Sequence, residues 1–212
     1  MKKYKYLLFD WDGCLAMTLD VWLQAYKEVF SEYNVYPEDR EIALKVFGDW
    51  NAPLKFGIND VDTFTKKMIT KVNERYSTLQ LYNGVKDTLQ TIKAKDKRLA
   101  LLTTSTSTLV LPSLEYHKLK EYFDTILTAE SVTKHKPDPE IIEKAINELG
   151  GSKELSIIIG DSKSDLGAAQ NAGIDSALFY PEHNQVFYDL ERLKSFNPTY
   201  TITKFDKLLE IL

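Results

Sequence analysis

The chain has 212 residues, 43% of them hydrophobic and 27% charged, with a formal net charge of −4. That composition is ordinary for a globular protein and excludes disordered and fibrous classes. The acidic balance argues against nucleic acid as the main partner and requires any anionic ligand to meet positive charge gathered locally. The single cysteine, Cys14, rules out an intrachain disulfide and points to a reducing, cytoplasmic setting. No stretch approaches the roughly 18 apolar residues that span a bilayer, so no membrane association is expected.

The opening MKKYKYLLFDWDG carries lysines and a short apolar run, but YLLF is too short for the core of a signal peptide and two aspartates follow at once. Tyr4 to Phe9 instead predicts a buried strand that stops at Asp10. Apolar residues then recur at helical spacing from Leu19 to about Asn34, near Asp39–Phe47 and over Val61–Tyr76. A loop rich in Gly, Asn and Pro, GDWNAPLKFGIND, separates the last two. Residues 17 to about 80 therefore read as wholly helical.

Beyond them strands and helices alternate. Val85–Lys95 is a predicted helix, Arg98–Leu102 a strand ending in TTSTS, Ser107–Lys118 a helix and Thr125–Leu127 a brief strand. Pro139–Leu149 is a helix with Asp138 as its N-cap, and Leu155–Ile159 is the strongest strand, closed by Gly160. Helix Leu166–Ala172, strand Ser176–Phe179, helix Asn184–Leu193 and a last strand and helix around Tyr200–Leu212 complete the chain. The pattern predicts an α/β fold, a Rossmann-like parallel sheet with helices on both faces. The helical block interrupts the first βα unit and reads as an inserted cap: core 1–16 and 82–212, helical cap 17–81.

Asp10 and Asp12 follow the first strand, Thr103 ends the second in competition with the neighbouring hydroxyls of Thr104 and Ser105, Lys136 follows the third and Asp161 follows LSIIIG. In a parallel sheet these ends share one edge, so residues roughly 150 apart in sequence meet in one crevice. Carboxylates gathered without histidine or cysteine make a hard-oxygen site suited to Mg²⁺. Beside such an ion one aspartate can act as a nucleophile toward phosphorus and a second as general acid and base. A hydroxyl and a lysine would serve the phosphoryl oxygens.

D-x-D-G turns up by chance in roughly one chain in twenty to thirty of this size, and G-D-x-x-x-D about as often; both, in order and each after an apolar strand, in well under one in a thousand. As an EF-hand calcium loop D-x-D-G fails, because Leu8 and Leu19 would occupy its end positions.

With FDWDGCL, ALLTTS, KHKPDPE and IIIGDSKSDLGAAQNAG in order and at matching spacing, the chain resembles the haloacid dehalogenase superfamily. It is most similar to the phosphohydrolase branch with a small helical, C1-type cap that includes phosphoglycolate phosphatase and beta-phosphoglucomutase. The resemblance implies a phosphoric monoester hydrolase acting on a small phosphorylated metabolite through an aspartyl-phosphate, as a monomer or homodimer. It implies Asp10 as nucleophile, Asp12 as acid/base with its carbonyl toward Mg²⁺, and Thr103 and Lys136 at the phosphate. Asp161 would be a metal ligand, and Asp165 a second ligand, directly or through water.

Members that remove halide lack the second aspartate, so Asp12 favours phosphoryl transfer. The chain departs from the family's pattern at Cys14, where threonine is usual, at Met17-Thr18, where Asp-Ser is common, and at Asn83, where proline is usual. The alternatives are a phosphomutase sharing the intermediate and a non-catalytic module that binds Mg²⁺ and phosphate.

Among the remaining polar residues, Ser162 and Ser164 read as helix caps. His117, His135 and His183 lack metal-ligand spacing, and Cys14 reads as a packed small residue. From the cap loop, Trp50, Asn51 or Lys55 would touch the leaving group, the equal alternative being that Trp50 packs between cap helices and Lys55 faces solvent.

Overall fold

In a computed structural model the chain is described over residues 4–47 and 49–212. Lys2 and Lys3 of the opening run and Gly48, which opens the GDWNAPLKFG segment, lie outside the described residues.

Among the described residues six strands, β1 (Tyr6–Phe9), β2 (Arg98–Leu102), β3 (Thr125–Leu127), β4 (Ser156–Gly160), β5 (Asp175–Phe179) and β6 (Tyr200–Ile202), form one sheet in the order β3-β2-β1-β4-β5-β6. Every neighbouring pair is parallel. Leu7, Leu8 and Phe9 are fully buried because helices cover both faces of the central strand, which is why β1 reads as an unbroken apolar run. Each such side chain contributes roughly 1.5–3 kcal/mol by leaving water.

Among the described residues eight α-helices accompany the sheet. Four lie between β1 and β2: α1 (Thr18–Glu32), α2 (Asp39–Lys45), α3 (Val61–Tyr76) and α4 (Val85–Lys93). Then come α5 (Ser107–His117), α6 (Glu140–Glu148), α7 (Lys163–Ala172) and α8 (Leu190–Lys194). Alternation along the strands sorts the helices. Tyr6, Leu8, Ala100, Leu102 and Ile158 pack with Ile141, Ile142 and Ala145 of α6 and with Ala168, Ala169 and Ala172 of α7. Leu7, Phe9, Leu99, Leu101, Ile157 and Ile159 face the other way, toward Leu89 of α4, Val110 and Leu114 of α5, and Phe205.

The segments that lead into and out of the first three helices run side by side: Met17 N–H donates to Gln80 C=O at 2.8 Å and Tyr82 N–H to Leu15 C=O at 3.1 Å. Inside the block, Phe30 sits between Phe56 and Phe64 at centroid distances of 4.9 and 4.8 Å. No helix among the described residues is long and apolar enough to cross a membrane.

Three local expectations need correction. The loop before α3 contains a 3₁₀ turn, Ala52–Phe56, started by Pro53 and ended by Gly57 at φ +78°. The helix expected over Asn184–Leu193 is two pieces, a 3₁₀ turn (Glu182–Val186) and α8. Between them the Tyr180 hydroxyl holds the Tyr188 carbonyl at 2.9 Å, and Asp189 starts α8 by accepting the Arg192 amide. Asp138 is not the N-cap of α6: Pro139 holds that position, and Asp138 Oδ1 accepts the Glu140 amide at 3.1 Å.

Candidate active site

β1 lies between β2 and β4, where the strand order reverses, so a crevice opens at their carboxyl ends. The register pairs Phe9 with Leu101 and with Ile159, which brings Asp10 level with Leu102 and Gly160, with Thr103 and Asp161 just beyond. Lys136 arrives on the segment between β3 and α6, and Asp165 in the first turn of α7.

The centre of the site is ionic and buried. Lys136 Nζ donates to Asp10 Oδ1 and to Asp165 Oδ1, each at 2.6 Å, and to the Leu102 carbonyl at 3.0 Å. Its three protons are all committed. Burial works against the Lys136 charge, but Asp10 and Asp165 hold its pKa well above the ordinary lysine value. The Asp10 carboxyl is pushed up by burial first and then by Asp165, with Lys136 pulling the other way. Asp165 Oδ2 is also occupied, accepting the Ser162 amide at 3.2 Å and the Ser162 hydroxyl at 2.6 Å in the capping box that begins α7. Ser162 is thus the cap of α7.

Asp161 differs. Its residue is fully buried, and among the described residues neither carboxylate oxygen has a hydrogen-bond partner of good geometry. Burial, then Asp10 and Asp165, raise its pKa, and the nearby Tyr188 hydroxyl offsets part of that. Asp10, Asp161 and Asp165 each offer an oxygen within 4.8 Å of the others. Three carboxylates against one ammonium leave an excess of negative charge, and one of the three is an orphaned buried acceptor; both features fit a hard divalent cation such as Mg²⁺.

Asp12 lies to one side, within a ring of hydroxyls. Thr103 and Ser105 donate to its Oδ2 at 3.0 and 2.8 Å, and Tyr76, the last residue of α3, donates to Oδ1 at 2.5 Å. Burial first, then the Asp12 charge, push the Tyr76 phenol well above its usual pKa, which keeps it a donor. Thr103 is therefore directed at Asp12 and also accepts the Ser105 amide at 2.9 Å.

Sequence reasoning missed Tyr76 and Asn184, and it offered Ser105 only as a competitor of Thr103. Ser105 had a signal, the run of hydroxyl residues after β2. Tyr76 and Asn184 had none, because only the tertiary fold brings them to the site. Asn184 is fully buried; its Nδ2 donates to the Gly13 carbonyl at 3.0 Å while its Oδ1 accepts the Tyr82 hydroxyl at 2.5 Å. The Cys14 thiol still donates weakly, to the Ile159 carbonyl at 3.5 Å, and burial followed by Asp10 and Asp161 holds it protonated.

Of the residues expected on the cap loop, Lys55 is paired with Asp49 at 2.7 Å. Trp50 stacks edge-on with Trp22 and, with Asn51, lines a groove of about 420 Å³ bordered by Val61, Thr65, Lys66 and Ile69. None of the crevice carboxylates borders that groove. His117 and His183 bridge elements: His117 Nε2 lies 2.7 Å from the Leu79 carbonyl and His183 Nε2 lies 2.7 Å from Asp20.

Comparison with known proteins agrees with this geometry. The sequence model of the family described as haloacid dehalogenase-like hydrolase matches residues 7–179. A pyrophosphatase PpaX of Oceanobacillus iheyensis is 30% identical over 212 residues, covering 97% of this chain and 95% of the relative. The PpaX pyrophosphatase of Halalkalibacterium halodurans is 28% identical over 218 residues, with the same coverage. A solved structure assigned as a beta-phosphoglucomutase of Thermotoga maritima is 27% identical with a TM-score of 0.80, covering 98% of this chain and 97% of that one. One assigned as a phosphoglycolate phosphatase of Haemophilus somnus shares the fold at a TM-score of 0.85 and 20% identity, covering 100% and 99% of the two chains. With its four motifs set along the carboxyl edge of one parallel sheet and the family's sequence model spanning most of its length, the chain belongs to the haloacid dehalogenase-like hydrolase family and is a hydrolase of that family.

Proposed function

We propose that this chain is a Mg²⁺-dependent phosphatase that hydrolyses a small phosphate monoester through an aspartyl-phosphate on Asp10. The observation that carries the proposal is the buried Asp10–Lys136–Asp165 bridge beside the orphaned Asp161, with Asp12 gripped by hydroxyls next to it. Mg²⁺ would be held by Asp10 and Asp161, with the Asp12 carbonyl and Asp165 completing the set. Once bound it supplies positive charge that offsets the repulsion between carboxylate and phosphate dianion.

Asp10 attacks phosphorus, and a carboxylate–phosphorus bond forms as the bond to the leaving oxygen breaks. Asp12 gives that oxygen its proton. Asp12 then takes a proton from water as the water attacks the aspartyl-phosphate, which releases inorganic phosphate and restores Asp10. Lys136 fixes the orientation of Asp10 and keeps a positive charge beside the transferring group. Residues 17–81 serve as a cap over the core of 1–16 and 82–212, hinged at the paired segments Met17–Gln80 and Leu15–Tyr82.

A second substrate, inorganic pyrophosphate, is favoured by the pyrophosphatase relatives. Both substrates use the same residues. The test is phosphate release from pyrophosphate, an aryl phosphate and a panel of metabolite monoesters, with Mg²⁺ or EDTA, for the wild type and Asp10→Asn. Release that requires Mg²⁺ and is lost in Asp10→Asn supports the proposal, and the panel ranks the substrates. Transfer of phosphate to a sugar instead of water would replace it with a phosphomutase. A folded wild type inactive on every substrate would favour a binding module.

A further inference from the structure

We propose that Tyr76 is a positioning residue for Asp12 and that the proton carried by Asp12 travels on its Oδ1 oxygen. The proposal rests on Asp12 being the acid/base of the phosphatase reaction above. An ionised carboxylate has two oxygens with two acceptor positions each. On Asp12 Oδ2 both positions are taken, by Thr103 Oγ1 at 3.0 Å and Ser105 Oγ at 2.8 Å. On Oδ1 one is taken, by the Tyr76 hydroxyl at 2.5 Å. Among the described residues one acceptor position remains, and it is on Oδ1. A proton given to a leaving oxygen or taken from water must pass through that position.

Thr103 and Ser105 come from the loop after β2, while Tyr76 closes a helix that begins far from that loop in sequence. The carboxylate is therefore gripped from two sides by two separate parts of the chain. With Oδ2 alone held, the Asp12 side chain could swing about that oxygen by a coupled change of both its χ angles and carry Oδ1 away from the substrate. The Tyr76 hydroxyl on Oδ1 prevents that swing. Tyr76 is 1% exposed, and its hydroxyl also lies 3.2 Å from Ser105 Oγ, so the two holds on Asp12 are linked. When Asp12 donates, the proton leaves Oδ1 for the oxygen departing from phosphorus; the Tyr76 proton stays on the phenol throughout. Tyr76 orients and does not transfer.

The test uses kcat/KM, which covers only the steps up to loss of the leaving group, on an alkyl phosphate and on 4-nitrophenyl phosphate. The alkyl oxygen needs a proton as it departs and the nitrophenolate does not. Tyr76→Phe keeps the ring and removes the hydroxyl. Its kcat/KM should fall about tenfold or more on the alkyl substrate, a part of the 10²–10⁴ that a positioned acid supplies, and less than about threefold on the nitrophenyl substrate. In an Asp12→Asn background the same change should cost nothing further on the alkyl substrate, because the two residues act as one unit.

Equal losses on both substrates, or a full additional loss in the Asp12→Asn background, would overturn the role of Tyr76. Asp12→Ala, which removes the partner carboxylate entirely, gives the second comparison: if Tyr76→Phe still lowers the alkyl rate there, Tyr76 acts by some other route. If Asp12→Asn leaves the alkyl substrate as fast as the wild type, it is the acid/base assignment of Asp12 that fails.

Discussion

Gly13 shows how tightly single residues are fitted around the site. Its φ is +77°, and a Cβ built on it would stand 2.1 Å from Asp161 Oδ2 and 2.8 Å from Asp161 Cγ. Asn184 fixes the carbonyl of the same residue. A side chain there is doubly penalised, by the left-handed backbone, roughly 1–2 kcal/mol for an L-residue, and by collision with a carboxylate packed from every side. We expect Gly13→Ala to displace Asp161 and weaken Mg²⁺ binding by about tenfold or more, the scale at which residues supporting metal ligands act. Isothermal titration with Mg²⁺ reads this without reference to turnover; an unchanged affinity would mean that Asp161 is not a ligand.

Asp124 makes a contrasting case away from the crevice. It accepts the Leu99 amide and Lys93 Nζ, each at 2.9 Å, and pairs with Arg98 at 3.1 Å. Partial burial raises its pKa, but the amide and the two cations outweigh burial and bring it below the ordinary value. A carboxylate lowered in the folded state contributes stability above its unfolded pKa, and that contribution disappears as pH falls through the folded pKa. Asp124→Asn should therefore cost about 1 kcal/mol at neutral pH, after allowance for solvent screening, and less at about pH 3, already below the ordinary aspartate value. Urea midpoints measured at the two pH values check the sign, and a cost that grows toward acid would refute it.

At the scale of elements, what the sequence made legible depended on where each element's contacts come from. β2, β3 and α3 fall on the predicted residues because buried apolar runs and a clear helical repeat, bounded by turn residues, need no distant partner to be recognised. The crevice residues Asp10, Asp12, Thr103 and Asp161 were placed by strand ends alone, and the parallel register brings those ends together. The segment from Glu182 to Lys194 was misjudged because its conformation is set by tertiary bonds: Asn184 turns inward to Gly13 and Tyr82, and Tyr180 holds the Tyr188 carbonyl. Tyr76 escaped notice for the same reason. Its place in α3 was predicted, but nothing local distinguishes a tyrosine packed in a helix from one whose hydroxyl reaches a carboxylate 64 positions earlier. Ser105 sits between these cases, visible as a hydroxyl after a strand and indistinguishable from Thr103 and Thr104 until the loop is folded.

Across the whole molecule, helices α1–α3 do not have a separate interior. Leu23, Val29, Phe30, Phe64, Met68 and Val72 belong to the same contiguous apolar cluster as Leu7, Phe9, Leu101 and Ile159 on one face of the sheet. The two parts are also joined by Phe47 against Phe187 at 5.5 Å and by Arg40 Nη1 donating to the Gln185 carbonyl at 3.0 Å. A shared core of this kind couples the stability of both parts, so the chain should unfold in one transition. Trp22 and Trp50 lie on the block of α1–α3, and in a Trp11→Phe background, which removes the buried tryptophan after β1, their fluorescence reports that block, whereas far-UV circular dichroism reports the whole chain. The two urea curves should coincide in that background and still coincide when Phe30→Ala is added, displaced by the roughly 3–5 kcal/mol expected for truncating a fully buried aromatic side chain. If Phe30→Ala instead splits them, with the tryptophan signal moving to lower urea and the dichroism keeping a second transition, the block melts independently and the packing between it and the sheet is weaker than the shared cluster implies.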